Sequence, residues 1–523
     1  MATVTEKPER WVVRKPAVTS PGGVVATQHQ SASEVGAQVL ADGGNAVDAA
    51  IATSLALAAV EPWMSGLGGG GYMLVRTAGE DRTWAVSFGM VAPGALEPAD
   101  YPLTGEEGAD MFGWPAVEED RNMRGPLAVA VPGQVAGLGT AHARFGSWSW
   151  ADLVAPACVL AQRGMEVDWH ATLAIAASAP ELAQDSDSAA TYLAGGFPQA
   201  TPWTGDAPRI RLGRLADTLR WLAAAGPADF YTGEIAAAIA ADMVALGGRL
   251  SATDLADYEA QVEEVAPVSY RGSRVWAAPG LTAGPTLIDV LSRLATSLDP
   301  GAAPDGETYA AYAEALQAAS AARLRGMGAG SDADRASCTS HLGVADREGT
   351  VVTLTQTLLS PFGAKVMLPE TGILLNNGIM WFDPRPGRPN SIAPGKRPLS
   401  NMCPTVVELA DGRRAGLGAS GGRRILPAVA QLLSFLADFG MSPDDAAHCP
   451  RINVDGPDLV EADARLAAEA LAVLEARFAL GVRPHGVHPS SYACPNAVVW
   501  DPESGTATGI AHVMSPNACV GAP

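Results

Sequence analysis

The 523-residue chain is 48% hydrophobic, 17% charged and 6% aromatic, too apolar for a disordered polypeptide and long enough for roughly two or three ordinary domains or one large α/β unit. Its 35 Lys and Arg face 56 Asp and Glu, a net charge of −21 with no local basic patch, so nucleic acid is not an expected partner. The 57 glycines and 39 prolines follow no three-residue period, which excludes collagen.

The chain opens with charges at Glu6, Lys7, Glu9, Arg10, Arg14 and Lys15, which break any apolar signal segment. Ser31 and Glu34 read as a capping box for a helix that Asp42-Gly43-Gly44 ends. Asn45, with Asp48 in the first turn, caps a second helix. Residues 49–60 are nearly all apolar, but a run of about 12 is well short of the roughly 20 that span a membrane, so a buried helix is expected. A glycine-rich loop from Gly66 to Gly71 then feeds a strand over 72–76.

Residues 94–125 read as irregular, and helical patterns recur over 214–224, 233–246 and 307–325. The small, polar stretch 326–337 suits an exposed, cleavable linker. From Thr339 onward strands and tight turns dominate, with a last helix over 464–479. Cys158, Cys338, Cys403, Cys449, Cys494 and Cys519 are scattered without a C-x-x-C. Reduced thiols, no metal, no cofactor and a soluble cytoplasmic protein are the expectations.

Four motifs bear on chemistry. Gly66-x-Gly68-x-x-Gly71 matches the dinucleotide pattern, but here a helix precedes and a strand follows, the reverse of what pyrophosphate binding needs. A tight turn against a packed helix is the better reading. Gly418-x-Ser420-x-Gly422 matches a nucleophile elbow, with a helix expected over 424–439 and His485, His488 and His512 downstream as bases. The preceding residues, RRAGLG, read as a poor strand, and no acid is placed between Ser and His. Backbone amides at such a glycine pair can also stabilise an oxyanion. His485 and His488, flanked by Pro484 and Pro489, read as a solvated loop rather than metal ligands.

The fourth segment is the most informative. Residues 339–357 read as a β-hairpin turning at Arg347-Glu348-Gly349, with glycine where φ is positive. Counting outward from Asp346 opposite Thr350 brings Thr339 opposite Thr357, so two hydroxyls share one face about 5 Å apart at Cβ. Two β-branched residues in a sheet would give the same pattern.

Gly43-Gly44-Asn45-Ala46-Val47-Asp48-Ala49-Ala50, Glu61-Pro62 and Ser65-Gly66-x-Gly68-Gly69-Gly70-Gly71 together resemble the N-terminal signature of the γ-glutamyltransferases. Thr339-Ser340-His341 resembles that family's processing and nucleophile motif. Pro361-Phe362-Gly363, Gly372-Ile373-Leu374-Leu375-Asn376-Asn377, Lys396-Arg397-Pro398-Leu399-Ser400 and Gly421-Gly422 follow in the family's order. The resemblance spans nearly the whole chain. It implies an α/β fold, the four-layer αββα sandwich of N-terminal-nucleophile hydrolases. It also implies a proenzyme that cuts itself between Cys338 and Thr339 into a large subunit, 1–338, and a small one, 339–523, which stay together as an α/β heterodimer.

The implied roles are Thr339 as nucleophile, Thr357 as its hydrogen-bonding partner and Gly421 and Gly422 as oxyanion donors. Cleavage would free the Thr339 α-amine, whose ordinary pKa of about 7.7–8.0 suits it to act as base for its own hydroxyl. The substrate would be a small-molecule amide, and water or an amine would take the acyl group.

The resemblance breaks in the pocket. Glutathione-cleaving members hold the glutamyl α-carboxylate with an Arg, where this chain has Gly89. After Asn376-Asn377 the family has an acidic or amide residue and then an Asp, where this chain has Gly378 and Trp381. An Asn expected after Thr357 is Leu359, and of two paired serines Ser400 remains while the second is Asn401. The stretch between Trp381 and Lys396 is short, so the lid loop of many bacterial members is not expected. Losing a guanidinium and a carboxylate removes contacts of about 1.5–3 kcal/mol each, roughly two to four powers of ten in recognition of a zwitterionic glutamyl group. The expected activity is therefore a family amide hydrolase or acyltransferase with a substrate other than glutathione. True glutathione hydrolysis, a hydrolase built on Ser420 and a degenerate ligand-binding protein remain the alternatives.

Overall fold

The computed structural model describes residues 13–108, 112–327, 338–454, 459–488 and 490–523. Most of the expected linker over 326–337 lies outside them.

Two seven-stranded antiparallel sheets form the centre. In neighbour order, the first comprises Cys519–Gly521, Gly23–Thr27, Cys338–Asp346, Val351–Leu359, Gly70–Arg76, Thr83–Phe88 and Gln261–Glu264. The second comprises Val18–Ser20, Thr506–Ile510, Cys494–Asp501, Arg414–Ser420, Thr405–Glu408, Ser273–Ala277 and Val268–Tyr270. Both strands of the central hairpin are buried throughout, because one sheet face meets the second sheet and the other meets helices. The sheets press together where side chains are missing: a Cβ on Gly416 would stand 2.8 Å from Val351 Cγ1. His341 fills the gap over Gly418, with Nδ1 2.9 Å from Thr355 Oγ1.

Helices Gln30–Ala41 and Ala46–Val60 pack on the first sheet, and Gly284–Ser297, Gly306–Met327 and Ile425–Ala437 on the second, completing the four layers. Asn45 caps the second helix through a capping box with Asp48, and all 15 of its residues are buried, as its apolar sequence requires. No helix of the described residues is long and apolar enough to cross a membrane. The hairpin turns where expected, with Gly349 at φ +87°.

Two expectations need correction. The first helix begins at Gln30 and is capped by the His29 side chain, which accepts from the Ser31 amide; Ser31 is inside the helix, not its cap. Residues 94–125 also hold a short ribbon, Leu103–Glu107 against Pro115–Val117, within an otherwise irregular stretch.

Candidate active site

The open end of the hairpin is distorted. Cys338 pairs with Leu359 and Ser340 with Gln356, so one residue, Thr339, stands against two, Thr357 and Leu358. This bulge re-aims the side chains at the strand end. Leu359 is held at φ +90°, a left-handed conformation that costs a leucine of order 1–2 kcal/mol and is retained only where surrounding contacts enforce it.

Inside the bulge, Thr339 Oγ1 lies 2.8 Å from the Cys338 carbonyl oxygen and 3.3 Å from Thr357 Oγ1. Thr357 Oγ1 donates to the same carbonyl oxygen and accepts from the Leu359 amide at 2.8 Å. The two threonines that the register count brings together thus converge on one peptide group, and both are buried.

The second sheet contributes the turn after strand Arg414–Ser420. That segment is a full strand of seven residues, contrary to its reading as a poor one. Its glycines admit the close approach of the first sheet, and Arg414 occupies its one partly exposed position, at the start. Gly421 at φ +133° and Gly422 at φ +58° turn the chain into helix Ile425–Ala437. A Cβ on Gly421 would stand 2.8 Å from Ala493 Cα, so glycine is required there. Among the described residues neither amide N–H of this pair has an acceptor in hydrogen-bond geometry. Ser420 accepts from Gln28 Nε2, and no histidine among the described residues bonds to it.

Cys338, Gly421 and Gly422 line one cavity of about 260 Å³. Glu61 also lines it, nearly buried, with Ser340 Oγ donating to its Oε2 at 3.1 Å. Burial pushes this carboxyl up to about 8 and the Cys338 thiol well up. Behind Ser340 a buried chain of hydrogen bonds continues through Ser65 and Gln356 to Ser54 and Gln134.

None of Gly89, Leu359, Trp381, Ser400 or Asn401 lines that cavity. Leu359 and Trp381 sit in an apolar cluster with Tyr72, Met90 and Met402. Gly89 explains itself: a Cβ there would lie 2.5 Å from Tyr72 Oη, so the phenol holds the space an Arg side chain would leave from. Burial raises the Tyr72 pKa against the pull of the Arg397 and Arg323 guanidiniums. Arg397 bonds to the Gly89 carbonyl at 2.9 Å, and Arg323 bonds to the carbonyls of Thr282 and Ser400. Asn376 and Asn377 stitch loops: Asn376 holds Gly68 and Ala130, and Asn377 holds Ser360.

The glycine run 68–71 follows a helix and enters the strand that begins at Gly70, and a Cβ on Gly69 would meet the Thr357 carbonyl at 2.4 Å. Close backbone approach is its use. The loop reading of His485-x-x-His488 needs partial correction: the His485 side chain is buried, 3.3 Å from Asp463 and stacked on His512, while His488 is exposed. Among the described residues no cluster of His, Cys, Asp or Glu could hold a metal. Glu61, seen in the sequence only as part of the Glu61-Pro62 motif, shares this cavity with Gln28, His170 and Tyr492, which come from separate segments and follow no spacing.

A family model described as Gamma-glutamyltranspeptidase matches residues 32–338 and 325–518. The chain is 35% identical to the acylase ACY 1 proenzyme of Pseudomonas sp. (strain SE83), over 95% of this chain and 93% of that one. It is 31% identical to the glutathione hydrolase proenzyme of Escherichia coli (strain K12), over 87% and 85%. The crystal structure of cephalosporin acylase from Bacillus halodurans superposes with a TM-score of 0.84 over 99% of both chains, at 24% identity, a likeness of fold. The chain belongs to the gamma-glutamyltranspeptidase family of N-terminal-nucleophile hydrolases.

Proposed function

We propose that this enzyme is a self-processing threonine hydrolase or acyltransferase acting on a small-molecule amide other than glutathione. The observation that carries the reading is the convergence of the Thr339 and Thr357 hydroxyls on the Cys338 carbonyl. In the uncut chain, Thr339 Oγ attacks the Cys338 carbonyl carbon while Thr357 donates to its oxygen. The C–N bond breaks, the Thr339 nitrogen takes a proton, and water opens the resulting ester. The products are a carboxylate at Cys338 and a free amine on Thr339, with 1–338 and 339–523 remaining together.

In turnover the free amine takes the proton of Thr339 Oγ as that oxygen attacks the substrate acyl carbon. Gly421 and Gly422 hold the oxyanion with their unpartnered amides. The leaving amine departs with the proton, and water or an acceptor amine then takes the acyl group from the ester.

The acyl group is read from the second region. Tyr72 above Gly89, with Leu359 and Trp381, fills that region with bulk, and the guanidiniums near it, Arg397 and Arg323, are engaged by backbone carbonyls instead of standing free for a glutamyl carboxylate. The similarity to a proenzyme named acylase supports the same direction. The test has two parts. N-terminal sequencing of the smaller fragment is expected to begin Thr-Ser-His, and an intact chain after long incubation at neutral pH would refute self-processing. Glutamate release from glutathione as efficient as cleavage of a dicarboxylic side-chain amide would refute the substrate assignment.

A further inference from the structure

The threonine chemistry leaves the polar chain behind Ser340 without a task. The direction of that chain follows from which atoms can donate. Gln134 Nε2 and Ser54 Oγ both donate to Gln356 Oε1, at 2.6 and 2.5 Å, so the other end of that amide, Nε2, is the donor to Ser65 Oγ at 2.9 Å. Ser65 then donates to Ser340 Oγ, and Ser340 to Glu61 Oε2, each at 3.1 Å. Every hydroxyl spends its one proton in the same sense, and Glu61 is the acceptor on which the chain ends. All of these residues are buried.

The chain lies where the hairpin is distorted. Ser340 and Gln356 are the first opposed pair past the bulge, and Thr339 stands one residue before Ser340. Ser65 joins their two side chains, which ties the strands together beside the reacting group. Helix Ala46–Val60 holds the tie at both ends, with Ser54 on the helix and Glu61 as its C-cap. Buried hydrogen-bond chains strengthen along their length and stiffen what they join.

We propose that Glu61 is a positioning residue for self-cleavage: by accepting from Ser340 it pins the strand just past Thr339 and holds the Thr339 hydroxyl against the Cys338 carbonyl, 2.8 Å away. The assignment rests on the reading above, in which Thr339 attacks that carbonyl. The charge of Glu61 matters as much as its place. Glu61 and Cys338 line one cavity, and a charge on Glu61 acts on the Cys338 thiol. The attack builds negative charge on the Cys338 carbonyl oxygen, and a carboxylate close by opposes it. Burial holds the Glu61 pKa at about 8, so at pH 7 it is an uncharged acceptor. Cys338, Cys494, His170, His488, Arg423 and Arg424 face the same cavity, with Asp168 also acting on Glu61. Burial raises both thiols and lowers His170, so none of those three titrates between pH 7 and pH 9.

The test follows self-cleavage of the full chain made by cell-free translation, read by gel and intact mass, with protease resistance showing that each variant folds. Glu61→Leu removes the acceptor and is expected to cut about 10²-fold more slowly than wild type, the scale of a reacting group misplaced by about 1 Å. Glu61→Gln keeps an acceptor for Ser340 and is expected to cut about ten-fold faster than Glu61→Leu. Because the amide cannot ionise, the rate of Glu61→Gln relative to wild type is expected to rise about ten-fold from pH 7 to pH 9, as a carboxyl titrating at about 8 loses its proton, and taking the ratio cancels the other groups. Ser340→Ala is expected to slow cutting as Glu61→Leu does, and the double variant to be no slower than either alone, since both break one contact. If Glu61→Leu does not fold, Ser340→Ala and the pH ratio decide. Wild-type rates in Glu61→Leu or Ser340→Ala, Glu61→Gln no faster than Glu61→Leu, a ratio flat with pH, or additive losses would overturn the proposal. A wild-type chain that never cuts removes the threonine reading as well, whereas one that cuts while Glu61→Leu keeps pace removes the role of Glu61 alone.

Discussion

The reacting end of the central hairpin and the region around Gly89 stand close in the fold but are built from different material. At the first, the proposed chemistry falls to two hydroxyls, a bulge and two glycine amides, all fixed by backbone course. At the second, the proposed recognition rests on side chains, and Tyr72, Leu359 and Trp381 cluster where the family resemblance implies charged groups. Backbone-built features change only if the strand pairing changes, whereas a side-chain pocket changes one residue at a time. The contrast teaches that reaction type and substrate can diverge independently on one frame.

The comparison breaks most directly at Thr339. Thr339→Ala is expected to leave a single uncut chain and to lower turnover about 10⁴-fold or more, read by gel, intact mass and amide hydrolysis. Activity retained there would move the chemistry elsewhere. Next, Gly421→Ala forces a Cβ against Ala493 and displaces the oxyanion donors, so kcat should fall about 10²–10³-fold with little change in KM. In the other region, Gly89→Ala should cost about 1–3 kcal/mol in denaturant unfolding through its clash with Tyr72 Oη. Adding Tyr72→Phe should recover at least half of that, and strict additivity would sink the crowding argument.

A pH-dependent effect concerns the wall that the reacting end shares with its cavity. Glu61 has a folded pKa near 8 against an ordinary 4.5, so between those values the native state holds one more proton than the unfolded state. Its contribution is present below the lower value and is lost as pH rises toward the upper one. Wild-type stability should therefore fall relative to Glu61→Gln by about 1.4 kcal/mol per pH unit inside that window, measured by urea unfolding. Parallel pH profiles would show that the carboxyl is ionised throughout.

Much of the reacting end was legible because strand pairing is arithmetic: one turn residue, Gly349, fixes the register that brings Thr339 to Thr357. The bulge that completes the geometry left no mark, since an extra residue in a strand looks like any other. Asn45 was legible as a cap because Asp48 stands at the matching position. Ser31 and Glu34 offered the same pattern, but His29 lay one residue before the helix and took the amide. The strand at 414–420 was misjudged because glycines that look like poor strand formers are what allow two sheets to touch. Gln28, His170 and Tyr492 were invisible, and Glu61 was only a motif residue without a place, because only tertiary packing gathers them.

One further consequence follows from the order of the strands. The strand beginning at Cys338 lies between Gly23–Thr27 and its own hairpin partner, and that partner pairs onward with Gly70–Arg76. Segments before and after residue 338 are shuffled together like two halves of a deck, so neither, made alone, could close its own sheets. The uncut polypeptide is thus the scaffold for its own assembly, and any break at that bond belongs to a molecule that has already finished folding.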